Sequence, residues 1–202
     1  MNPLARRACC AVLALAPALA SADRGSGTNA ASADLDFRID IGKFLFFRVG
    51  SGAYPTASTT VDTVTLNTAP NIPPGAVVPV PGNSTTVNWD GTLPIPANSA
   101  SVPVEVRSNA GQVTIRATVV QPLTSGANTI PMSQIVMGTS DPALPAPVLP
   151  NTLTGPAVNV AGTAFSNLVT LRSATWSFSY SPAPGQPAGN YTGQVRFTAS
   201  SP

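Results

Sequence analysis

The sequence contains no histidine, and its only cysteines are Cys9 and Cys10. These absences exclude Ser-His-Asp and Cys-His nucleophile systems, the common zinc sites and histidine acid–base catalysis, because each needs a side chain that is missing. Charge is scarce too, at 9% of residues, with Lys43 the only lysine and Glu105 the only glutamate. A serine–lysine dyad would have to be built on Lys43, and no motif positions Ser51 or Ser58 beside it. Gly50-Ser51-Gly52 is followed by neither a helical pattern nor a lysine, so it is not a phosphate loop. After the first twenty residues no run approaches the roughly 20 apolar residues a membrane-spanning helix needs. No membrane span, cofactor, metal or catalytic residue is therefore expected, and the protein is read as a non-enzyme.

What is present begins with a basic start at Arg6 and Arg7, an apolar run from Ala8 to Ala20 and the small-residue ending Ala20-Ser21-Ala22. That order describes a secretory signal peptide over residues 1–22. Removing it takes away both cysteines and two of the ten basic residues, leaving eight basic against eight acidic side chains. The exported chain is then neutral and has no disulfide, and nothing in its charge grips nucleic acid. The expected location is secreted, in a periplasm or on a cell surface. Residues 23–33, DRGSGTNAASA, are small and polar and read as a flexible leader.

The stretch Asp34–Val49, DLDFRIDIGKFLFFRV, holds four of the seven phenylalanines. Leu35, Phe37, Ile39 and Ile41 fall on one face of an extended chain, with Asp34, Asp36, Arg38 and Asp40 on the other, the pattern of a half-buried strand. The aspartate spacing would suit an inverting glycosidase pair, but the intervening Arg38 marks a solvated face, and no Asp-rich loop offers calcium ligands. Beyond a bend at Gly42, Phe44 and Phe46 make the second face apolar as well. These two residues are the candidate surface for a partner strand.

Further along, strands are expected at 59–66, 84–89, 102–107, 112–120, 129–137, 157–160, 174–180 and 190–200, with 102–107 and 112–120 forming a hairpin and one helical turn at 164–171. Proline-rich segments at 67–83 and 140–156 exclude helix and read as long surface loops. No segment sustains a period of 3.6 residues. A single antiparallel β-sandwich over residues 34–202 follows, with long proline-rich loops. Tyr54 and Trp89 are the candidate rings for stacking on a glycan.

The C-terminal run ATWSFSYSPAPGQPAGNYTGQVRFTASSP carries Trp-x-Phe, a Pro/Gly turn and then Ala-Gly-x-Tyr-x-Gly-x-Val. It resembles the terminal hairpin of secreted bacterial surface sandwiches: WxL-type cell-wall domains, with phenylalanine at 178 where those have leucine, and fimbrial or spore-coat-U-like subunits. The resemblance implies an immunoglobulin-like or fimbrial-like sandwich whose closing hairpin contains Trp176, Phe178, Tyr191 and Val195. The function expected is that of a structural or adhesive surface protein, a pilus-like subunit joining other copies or other surface proteins by strand addition. A carbohydrate- or cell-wall-binding module, with polysaccharide as partner, is the alternative, and a hydrolase using Asp34, Asp36 or Glu105 is a third.

Overall fold

A computed structural model describes residues 24–69, 95–96, 98–183 and 185–202. The expected signal peptide, Trp89 and most of the first proline-rich loop lie outside these residues. The chain divides into two compact units, Met1–Ile41 and Gly42–Pro202.

In the first unit the described residues belong to no strand. Leu35, Phe37, Ile39 and Ile41 are 74%, 84%, 83% and 81% exposed. On the opposite side, Arg38 pairs with Asp40 at 3.2 Å. The half-buried strand expected from Asp34 is therefore not formed, and the sandwich starts at Gly42 rather than at residue 34. Alternation records an ability to pair and to bury one face; the pairing itself needs a neighbouring backbone.

The second unit contains β1 (Leu45–Val49), β2 (Thr68–Ala69), β3 (Ile95–Pro96), β4 (Ala100–Ser108), β5 (Thr114–Ser125), β6 (Asn128–Ile130), β7 (Ile135–Thr139), β8 (Val158–Asn159), β9 (Thr170–Tyr180) and β10 (Thr192–Ser200). A single 3₁₀ turn, Met132–Gln134, precedes β7. One antiparallel sheet has the order β1-β4-β9-β7; in the second, β10, β5 and β6 lie side by side, with β8 also pairing β5. β2 and β3 form a separate two-stranded ribbon. The all-β sandwich expected from the sequence is thus the fold observed.

Period-two alternation explains which faces meet. Trp176 and Phe178 on β9, with Val104 and Val106 on β4, pack against Val113 and Ile115 from the second sheet. Trp176 is fully buried, its indole N–H donates to the Leu144 carbonyl at 3.3 Å, and its ring meets Phe197 of β10 at 5.2 Å and Phe47 of β1 at 6.4 Å. Pro103 is tolerated within β4 because its carbonyl faces the β1 side, where it accepts from Gly50 N–H just past the end of that strand. The absent proline N–H points the same way, so the ladder to β9 loses nothing.

Several expectations change. β9 and β10 do not form a hairpin: β9 lies between β4 and β7, whereas β10 pairs β5. Trp176 and Phe178 therefore face Val195 and Phe197 across the core instead of lying beside them, and Tyr191 stands just before the start of β10 in the other sheet. The same holds for β4 and β5, which sit in opposite sheets. Two inward apolar faces are best covered by each other, and a turn-rich connection allows a crossing as readily as a hairpin. At 164–171 the backbone is left-handed at Phe165, Ser166 and Asn167 (φ 51, 54 and 71), a tight reversal bridged by Ala164 and Val169, not a helical turn. The second proline-rich segment is not wholly a surface loop, since it lends Leu144, Pro147 and Leu149 to the core.

Replacing Trp176 with alanine is expected to destabilise the sandwich by about 3–5 kcal/mol, the usual cost of deleting a large buried ring. Chemical denaturation followed by far-ultraviolet circular dichroism measures this, and a loss below 1 kcal/mol would contradict its central place.

Candidate functional site

The six longer strands, taken in chain order as A to F, give the sheets A-B-E-D and C-F. An immunoglobulin-type sandwich carries a seventh strand, G, beside F. Here F is β10, and among the described residues it pairs with β5 alone; β1 pairs with β4 alone. These two edges lie on the same side of the sandwich. Between them opens a groove of about 1800 Å³, lined by Leu45, Phe47 and Val49 of β1, Val195 and Phe197 of β10, and Met132 and Leu149 below. The expected strand at 59–66 is instead coil along this groove. Val64 and Leu66 pack against the core, yet residues 57–66 make no backbone hydrogen bond to either edge.

Phe44 and Phe46 lie on the opposite face of their strand from the groove-lining Leu45, Phe47 and Val49. Phe46 meets the edge of Tyr54 at 5.0 Å, and Phe44 is 46% exposed, its N–H donating to Asn109 Oδ1 at 2.8 Å. Leu45, Phe47 and Val49 turn into the groove, and Phe46 also borders it. A segment apolar on both faces does not reveal by itself which face its own domain will cover.

Tyr54 is engaged as well. The Arg107 guanidinium carbon stands 4.1 Å from its ring centroid, a cation–π contact over one face. Arg107 and Arg48 both donate to Glu105, at 2.6 and 3.1 Å, and that carboxylate is nearly buried. The outer surface of β1 and β4 is therefore a closed charge cluster with an aromatic cover. Glu105 ties the two arginines down. Trp89, the other candidate stacking ring, lies outside the described residues. Among the described residues no three histidine, cysteine, aspartate or glutamate side chains gather as a metal site.

The loop leaving β1 is pinned by Asp62, which accepts from the Ser51 N–H and, at 2.7 Å, from the Ser51 hydroxyl. Both bonds favour the ionised form, the backbone one most, and hold the carboxyl below its ordinary value of 3.8. Gly50, at φ +96, leaves the room this requires, because a Cβ there would collide with the carboxylate.

The outer face of the second sheet differs from that of the first. Its register sets Arg196 opposite Thr118 and Thr198 opposite Arg116, so the two arginines are diagonal neighbours. Both are exposed, and neither joins an ion pair among the described residues. Thr114 and Ser200 share a hydroxyl contact at 3.0 Å on the same face. Sequence reading missed this pair, because the two arginines are eighty positions apart and become neighbours only through the β5–β10 register.

Compared with family models, curated proteins and solved structures, the chain matches none.

Because the Asp62 pKa is depressed on folding, its contribution is present above the ordinary carboxylate value and lost as pH falls through the lowered one. The Ser51 amide resonance is expected to titrate with a midpoint below 3.8. Asp62→Asn should abolish that titration and lower the unfolding midpoint of the sandwich slightly at neutral pH, a difference that vanishes in acid. A midpoint at or above the ordinary value would show that the pin is not formed in solution.

Proposed function

We propose that this chain is a secreted, non-enzymatic structural or adhesive surface protein whose copies join by strand addition. One juxtaposition of features supports the reading above all: a sandwich with an apolar groove beside a β10 edge that is unpaired among the described residues, in a chain whose residues 34–41 alternate apolar and polar with the apolar set exposed. An extended segment laid against such an edge satisfies its backbone groups while alternate side chains enter the groove.

The magnitudes are adequate but not generous. Burying Leu35, Phe37, Ile39 and Ile41 contributes roughly 1.5–3 kcal/mol for each side chain. Association costs on the order of 4–15 kcal/mol. The sum favours assembly only when the backbone ladder forms along with the burial, so an edge strand is needed and a mere apolar patch would not serve. Export by the expected N-terminal signal agrees with this reading. A glycan-binding role has less behind it, because Tyr54 already carries Arg107 on its ring.

The test is assembly of the exported form, followed by size-exclusion chromatography with light scattering and by electron microscopy. Deleting residues 24–41 is expected to leave a folded monomer where the intact chain forms multimers. Multimers that persist after this deletion would count against strand addition by this segment.

A further inference from the structure

We infer that residues 34–37 of a second copy add antiparallel to β10, with Asp34 and Asp36 forming an ionic latch on Arg116 and Arg196. The inference rests on strand addition and adds to it the accepting edge, the direction and the register.

The first step is charge. On the polar side of the 34–41 segment Arg38 and Asp40 pair with each other, which leaves Asp34 and Asp36 as two carboxylates without an ion pair among the described residues. Same-face residues two apart stand about 7 Å from each other. On the outer face of the second sheet, Arg116 and Arg196 are two cations without an ion pair among the described residues, at a diagonal spacing of about 7–8 Å. Two like charges at that spacing repel, and a pair of carboxylates at matching spacing relieves the repulsion. The β1 edge offers no such match, because Arg48 is already held by Glu105.

The second step is register. Val195 and Phe197 face the groove, so Arg196 and Thr198 face outward from β10, and Arg116 stands in line with Thr198. A segment that points Leu35 and Phe37 into the groove necessarily turns Asp34 and Asp36 outward. Asp36 opposite Arg196 and Asp34 opposite Thr198 then aligns both carboxylates with both guanidinium groups. In this antiparallel arrangement Leu35 sits at Phe197 and Phe37 at Val195, with Ile39 and Ile41 continuing toward Tyr191, the stretch of β10 that lines the groove. The parallel alternative with the same two carboxylates on the same sites would carry Ile39 and Ile41 beyond Ser200, where the strand ends.

The third step excludes the chain's own segment. In the antiparallel register residue 41 lies beside Tyr191. Lys43, two residues on, donates its ammonium to the Pro202 carbonyl at the far end of β10. Those ends are eleven residues apart, roughly 36 Å of strand. Two residues span about 7 Å at most. The donor must be another molecule.

The experiment uses the full chain with Cys9→Ser and Cys10→Ser, so that introduced cysteines are the only thiols. Oxidising a mixture of the Asp36→Cys and Arg196→Cys variants is expected to give a disulfide-linked heterodimer, and a mixture of Asp36→Cys with Arg48→Cys is not. Separately, Arg116→Glu with Arg196→Glu should raise the concentration needed for assembly by about three- to tenfold, the scale of two exposed ion pairs. Mixing in donors carrying Asp34→Arg and Asp36→Arg should recover it. If assembly needs residues 24–41 but residue 36 links to 48 and not to 196, or charge reversal changes nothing, the latch is wrong and strand addition stands. If assembly ignores deletion of residues 24–41, the underlying reading fails and this inference with it.

Discussion

The structure depends on the contact of two aromatic faces across a gap, with Trp176 of one sheet set between Phe47 at its own edge and Phe197 of the opposite sheet. No disulfide is available after residue 10, so no covalent bridge joins the sheets. The indole N–H finds the Leu144 carbonyl, which means the proline-rich segment over 140–156 also completes the core. A large ring at this place both fixes the distance between the sheets and settles which strand faces point inward. Leu45, Phe47 and Val49 then turn toward β10 because they extend the surface on which Trp176 rests.

The edges follow from the same packing. Four strands in one sheet and β10 with β5 in the other leave the side between β1 and β10 without a closing ladder among the described residues. Edges of this kind are normally blunted by charge, proline or brevity. The β7 edge follows that practice: it is five residues long, with Pro131 before it and Pro142 after it. β10 is less protected: it is nine residues long with no proline, carries Arg196 as its only charge, and alternates between groove and water from Gln194 onward. Val64 and Leu66 shelter the groove without bonding to either edge, a cover of side chains rather than of backbone.

Much of the fold was legible because period-two alternation is local. Val113, Ile115 and Ala117 on one strand, and Trp176 and Phe178 on another, could be assigned to the core from the sequence and are buried there. Pairing was less legible. The alternation of Leu35 to Ile41 looks the same whether a neighbouring strand exists or not, so an exposed segment was read as half-buried. The hairpins expected from turn residues after Arg107 and Tyr180 became crossings between sheets, since Gly, Pro and Asn report a change of direction without its destination. At the site, the two-faced character of β1 was visible in Phe44 to Phe47, but the inner set lines the groove. The arginines at 116 and 196 meet through a register that only the folded sheet creates.

The hydrogen bond from Lys43 to Pro202 places the first strand's beginning at the last strand's end. On the proposed reading each molecule gives from one pole and receives along a flank that opens toward the other pole. The two surfaces are unlike, so the contact is heterologous unless two copies exchange segments reciprocally. Such a contact repeats with a fixed polarity, and unless its rotation closes into a ring it propagates as a fibre with one receptive end and one donating end.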